Sequence, residues 1–173
     1  MADEAAPGVA PADAAGQHAL WKRLAGEPVA MLGTRDADGT LIARPVMPVT
    51  IEPEGRIWLF TAVDGDIADD IRRDAHVHMS FVNQAEELYA SLNGMAEVFR
   101  DPRKAREIWS PAAGVWYPNG PDDADLGLVR IDVHRGDYWD MKDGRLVRFF
   151  KLATAAVAGM RPDDVATHRR FTP

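Results

Sequence analysis

Three groups of residues in this chain of 173 have types and spacings that suit chemistry. The first is aromatic: Trp109 to Asp123 (WSPAAGVWYPNGPDD) and Tyr138-Trp139-Asp140 gather indole and phenol rings into two short segments. Rings of that size are costly to leave in water, so the segments predict a built surface or pocket. The second is Arg44, on a strand face with Ile42 and Val46, where a guanidinium needs a bound anion or a carboxylate partner. The third is His76-x-His78, which puts two imidazoles on one strand face. That is half of a metal site, but no third ligand is marked, so a half-buried or solvated strand face accounts for it more simply. Asp122-Asp123-Ala124-Asp125 could hold a cation, yet after Pro121 it reads better as a turn or helix cap. No P-loop, dinucleotide fingerprint, nucleophile elbow or zinc-protease spacing is present. Side-chain acid-base or nucleophilic catalysis therefore has no constellation, and no metal site is predicted.

Composition narrows the classes further. The formal charge is -7, from Lys+Arg 20 against Asp+Glu 27, and no basic run occurs, which disfavours a nucleic-acid partner. The absence of cysteine removes disulfides, thiolate metal sites and nucleophilic thiols, and leaves a reducing cytoplasm as the default compartment. Redox chemistry would need a borrowed cofactor. Residues 1–16 are rich in Ala, Pro and Gly and carry Asp3 and Glu4 where a signal peptide would be basic, so they read as a flexible leader. No segment reaches the apolar length of a membrane span, and a soluble protein is expected.

The elements that must position these residues are mostly short strands. A first helix is expected after Asp13, with Leu20, Trp21 and Leu24 along one side and Gly26 and Pro28 ending it. Val29–Thr34 and Thr40–Ile51 flank the turn at Asp36 to Gly39 and read as a hairpin, with an irregular edge near Pro45 and Pro48. Arg56–Ala62 (RIWLFTA) is a strand, Ile67 to Ile71 a short helix, and His76–Val82 a strand with Val77, Met79 and Phe81 on one face. Leu88–Phe99 is extended and contains Asn93-Gly94, either a tight turn or a bulge that bends one long strand. Asp101-Pro102 starts a helix through Ile108, Leu126–Val133 and Asp137–Met141 are the last strands, and Lys151–Gly159 is a short closing helix. Strands at this spacing argue for an antiparallel barrel rather than a doubly wound sheet.

Six motifs in order then carry a resemblance. Arg44-Pro45-Val46-Met47, Ile57–Thr61 (IWLFT), Ile71–Val77 (IRRDAHV), Asn93–Ala96 (NGMA), Trp116-Tyr117-Pro118 with Gly120 and Asp122-Asp123, and Tyr138-Trp139-Asp140 together resemble the general stress protein 26 family. That family is a branch of the pyridoxamine 5'-phosphate oxidase-like, flavin-binding split barrels. The likeness runs from about Leu20 to Met160, giving a leader at 1–16, a barrel domain at 17–160 and a tail at 161–173.

The resemblance implies a mainly β fold with peripheral helices, a six-stranded antiparallel split β-barrel of Greek-key character, and a homodimer with flavin sites at the interface. It implies FMN held against Arg44, Pro45, Val46 and Met47 on one strand and Leu59, Phe60 and Thr61 on another. Arg44 and the Thr61 hydroxyl would serve the phosphate, with Trp109 and Trp116 beside the ring or in the dimer interface. A stress-related, FMN-dependent oxidoreductase follows, with a non-catalytic dimer that has lost flavin as the rival. FAD, deazaflavin and haem have no motif of their own here. Two departures bear on this. Relatives grip the phosphate with a Ser-Arg-Lys-like run where this chain has Gly65-Asp66-Ile67, and Asp64 and Asp66 are also at hand as salt-bridge partners for Arg44. The substrate pattern of true pyridoxamine phosphate oxidases is not recognisable in Lys151 to Pro173, so that vitamin B6 reaction is not expected.

Overall fold

Acidic and glycine-rich turns cut the chain into strands whose buried faces alternate residue by residue. A computed structural model describes residues 10–11, 14–140 and 167–171. In chain order the elements are β1 (Ala10–Pro11), α1 (Ala14–Leu24), β2 (Ala30–Arg35), β3 (Leu41–Val46), β4 (Thr50–Glu52) and β5 (Arg56–Ala62). Then come α2 (Asp66–Arg73), β6 (His76–Asn83), β7 (Leu88–Phe99), α3 (Pro102–Glu107), β8 (Leu126–Asp140) and β9 (Thr167–Phe171). Short 3₁₀ turns occupy Pro111–Val115 and Gly120–Asp122. Among the described residues no helix is long and apolar enough to cross a membrane.

The sheet runs β1-β9-β8-β7-β6-β2-β3, with β5 attached to β8 and β4 to β5. Every pairing is antiparallel except β1 with β9. β8 is the fork: Leu126–Asp132 pairs with β5, Gly136–Asp140 pairs with β9, and β7 follows it along both halves. β5 passes over β6 and β7 in sequence to reach β8, the long return of a Greek key. β3 and β4, adjacent in sequence, therefore lie at opposite edges, and the barrel is split between them.

That split explains the first difference from the sequence reading. The one strand expected over Thr40–Ile51 is two, because β3 pairs with β2 while Thr50–Glu52 pairs with β5. The link 47–49 contains Pro48, which has no N–H to give a ladder, and Val49 N–H already donates to the Trp58 carbonyl at 2.8 Å. The second difference is at the end: the strands expected at Leu126–Val133 and Asp137–Met141 are one, β8. What resembled a break at 134–136 is its side of a β-bulge, where the register moves from Gly94↔Val133 to Asn93↔Arg135 and leaves His134 unmatched. This also settles Asn93-Gly94 as a bulge in one strand. A Cβ on Gly94 would meet the Asp132 carbonyl oxygen and Ile131 Cγ2 at 2.8 Å, so the close approach needs glycine.

α1 lays Leu20, Trp21 and Leu24 over the main core of Leu32, Leu59, Met79, Phe81, Leu92 and Ile131. β9, in the segment read as a tail, reaches the same core, and Phe171 stands edge-on to Trp21 at 5.4 Å. The alternation expected in β6 is observed, with Val77, Met79 and Phe81 inside. Asp101 caps α3 by accepting from the Arg103 and Lys104 N–H groups, with Pro102 in the first turn. A smaller cluster on the other side of the sheet joins Ala105, Leu126 and Leu128 to Phe60, Phe99, Trp109 and Tyr117. The expected helix Lys151–Gly159 lies outside the described residues.

Candidate functional site

The split opens into a groove of about 510 Å³. One wall is the segment 45–49, which leaves β3 and crosses to β4. The floor is Phe60 and Ala62, on the face of β5 turned away from the main core, with Ile67 of α2 at one end. The opposite wall is the aromatic loop, through Ser110, Ala113, Trp116 and Tyr117. Hydrogen bonds within that loop, from the Trp116 and Tyr117 N–H groups to the Ala113 carbonyl, fold it into a short 3₁₀ turn. Phe60 anchors it, with its ring 5.6 Å from Trp109 and 6.3 Å from Tyr117. Trp116 is left 76% exposed and Met47 56%, so two large apolar side chains rim the opening. The lining is of the size and character of small-molecule sites, apolar with few polar groups.

The side chains expected at the site divide in two. Pro45, Val46, Met47, Phe60 and Trp116 line the groove. Leu59 and Thr61 alternate with Phe60 and are buried on the core side of β5, and Trp109 packs behind Phe60 instead of facing the opening. Arg44 turns away toward α2. Its Nη1 donates to Thr34 Oγ1 at 2.8 Å and to Asp70 Oδ2 at 3.0 Å, while the Thr34 hydroxyl donates to the same carboxylate oxygen at 2.8 Å. Arg73 Nη1 reaches Asp70 Oδ1 at 3.2 Å. Asp70 is buried, and burial acts most strongly to raise its pKa. The hydrogen bonds from Thr34 and Arg44, with the Arg44 charge, outweigh this and hold the carboxyl below its usual range. The carboxylate beside Arg44 is thus Asp70, not Asp64 or Asp66.

Several lining residues went unread in the sequence. Ala62 carried a signal, since it shares a strand face with Phe60 by period two, and Ser110 carried none of that kind, whereas the resemblance marked Ile67 as a departure near the phosphate. Burial, then the charges of Asp123 and Asp125, pushes the Tyr117 phenol above its ordinary range, so it stands at the groove as a neutral hydroxyl. Tyr138 and Trp139 do not line the groove; Tyr138 packs 6.4 Å from Phe171 instead. His76 Nδ1 sits 2.8 Å from Asp74 Oδ1 and His78 Nδ1 3.3 Å from Asn93 Oδ1, both on an exposed face. Among the described residues no three His, Cys, Asp or Glu side chains form a group suited to a metal. Asp123 accepts from the Asn119 and Asp125 N–H groups, the turn role read for that acidic run.

A mainly antiparallel sheet left open at one seam, with an apolar groove at the seam, is the split-barrel class. The model of the family described as "Pyridoxamine 5'-phosphate oxidase like" matches residues 16–163, and the chain belongs to that family. A solved structure from Jannaschia sp. CCS1 assigned as general stress protein 26 is 27% identical, with a TM-score of 0.70 over 93% of this chain and 100% of that one. The general stress FMN/FAD binding protein of Xanthomonas citri is 28% identical, with a TM-score of 0.65 over 74% of this chain and 90% of its own. Protein bli-3 of Neurospora crassa is 28% identical over 118 residues, 62% of this chain. That match spans 56% of the fungal protein's length.

Proposed function

We propose that the protein binds an oxidised flavin in the groove at the split and works as a homodimer in a stress-related redox role. The observation that carries this is the apolar groove itself, walled by segment 45–49 and the Trp116 loop and floored by Phe60. FMN is the form that the family resemblance implies, and the binding named for the Xanthomonas citri relative supports a flavin. The residues present suit a flat ring: Phe60, Trp116 and Tyr117 offer aromatic faces and edges, and Pro45, Val46 and Met47 a dry wall. A bound flavin would supply the hydride or electron chemistry. The chain's own part is to seat the ring, exclude water with Trp116 and Met47, and offer the Ser110 and neutral Tyr117 hydroxyls as hydrogen-bond donors.

Dimerisation is supported by the face next to the groove. Register places Met31 beside Pro45 and Ser80, and Gly33 beside Ala43, while Leu41, Met47, Val29 and Val82 are exposed. Pro45 and Met47 belong to both this face and the groove, so a second copy seated here would close the opening. Purification followed by an absorption spectrum and FMN titration tests the reading: a yellow protein, or one that takes up FMN and quenches its fluorescence, is expected. A second reading, a dimer without flavin, has its own support in the engagement of Arg44 by Asp70 and in Asp66 at the start of α2. A colourless protein that takes up no flavin, yet sediments as a dimer, would establish it.

A further inference from the structure

Resting on the flavin reading, we infer that the groove recognises the ring and excludes the phosphate, so that its ligand is an uncharged flavin of the riboflavin type. Among the described residues, the arginines of β3 and α2 beside the split are paired with carboxylates of α2. Arg44 and Arg73 hold Asp70, at 3.0 and 3.2 Å, and Arg72 donates to Asp69 at 3.1 Å and to the Val63 carbonyl at 2.7 Å. Taking Arg44 for a phosphate would leave a buried carboxylate short of a partner, a cost comparable to the benefit of the new ion pair. At the end of the groove Ile67 is a wall residue, and exposed Asp66 precedes it in the first turn of α2. A phosphate placed there meets a negative charge at the helix end that would otherwise favour an anion. The described lining residues with polar side-chain groups are Ser110, Trp116 and Tyr117, neutral hydroxyls and an indole N–H that suit carbonyls and ribityl hydroxyls.

Arg44 then has a different task. It sits directly before segment 45–49, and Asp70 lies three residues after Ile67, on the same side of α2, so their ion pair ties two sides of the groove together. It is a positioning residue.

The test titrates lumiflavin, riboflavin and FMN into the full chain, reading flavin fluorescence at low and high salt. Riboflavin should bind more tightly than FMN, by a factor on the order of several-fold. Salt should bring FMN up toward riboflavin, because screening relieves a repulsion, whereas a phosphate-gripping site would lose FMN as salt rises. Asp66→Arg, at an exposed position, should improve FMN by on the order of tenfold and leave riboflavin unchanged. Arg44→Lys should weaken both flavins alike. FMN binding about tenfold tighter than riboflavin, with an affinity that falls as salt rises, would overturn the inference while keeping the flavin reading. Uptake of none of the three flavins would remove the flavin reading itself and this inference with it.

Discussion

The two sides of β3 and the link that follows it are built for opposite purposes from neighbouring residues. On one side Pro45 and Met47 face an open, apolar groove in which little is hydrogen-bonded and Trp116 stands largely in solvent. On the other, Arg44 enters a knot around the buried Thr34 and Asp70, with Arg73 reaching the same carboxylate from the half-exposed side. Alternation sends Arg44 and Pro45 to opposite faces of β3, while Val46, on the face of Arg44 but at the strand's end, still reaches the groove.

The comparison breaks most visibly at Asp70. Asp70→Ala removes the buried carboxylate shared by the partly exposed Arg44 and Arg73, together with three charge-assisted hydrogen bonds, and should cost about 2 kcal/mol in urea unfolding. The groove side should behave otherwise. Trp116→Ala should leave the denaturation midpoint of the monomer unchanged, yet weaken self-association by about 2 kcal/mol in sedimentation equilibrium. Unchanged association would confine the indole to the ligand side of the groove. A smaller effect sharpens the knot. The Asp70 carboxyl lies below the ordinary 3.8 in the folded protein, so its stabilisation is complete above 3.8 and disappears as pH falls through the lower folded value. Unfolding free energy should therefore drop more steeply below pH 3.8 in the native protein than in Asp70→Asn, measured by urea titration across that range. The smallest change is Tyr117→Phe, which removes one neutral donor and should weaken flavin by about 1 kcal/mol or less, read by the same fluorescence titration.

Much of the strand content could be read from the chain because alternation is a local signal. Val77, Met79 and Phe81 declare their face without help, and so do the Asp36 to Gly39 turn and the Asp101-Pro102 cap. The site was legible only in outline. Pro45, Met47, Phe60 and Trp116 are at the groove, but Thr61 and Arg44 are not, because which face of a strand lines a ligand depends on a partner strand far away in sequence. Asp70 was the least legible of all: within IADDIRR the residue type does not distinguish it from Asp69, and the packing of α2 against β2, β5 and β7 buries one and exposes the other. The split of Thr40–Ile51 likewise depends on β5 claiming Thr50–Glu52.

The seam also sets an order of events. The β2–β3 and β6–β7 hairpins close between sequence neighbours, whereas β5 must find β8 across the whole intervening chain, from Arg56↔Asp132 to Ala62↔Leu126. Pairings of that separation form late, since loop entropy is lost before their contacts compensate. The groove draws its walls from 45–49, 60–67 and 110–117, so it exists only after that last zippering. A ligand seated in it would therefore leave the folding rate untouched and act wholly on the unfolding rate, making the filled protein longer-lived rather than faster to form.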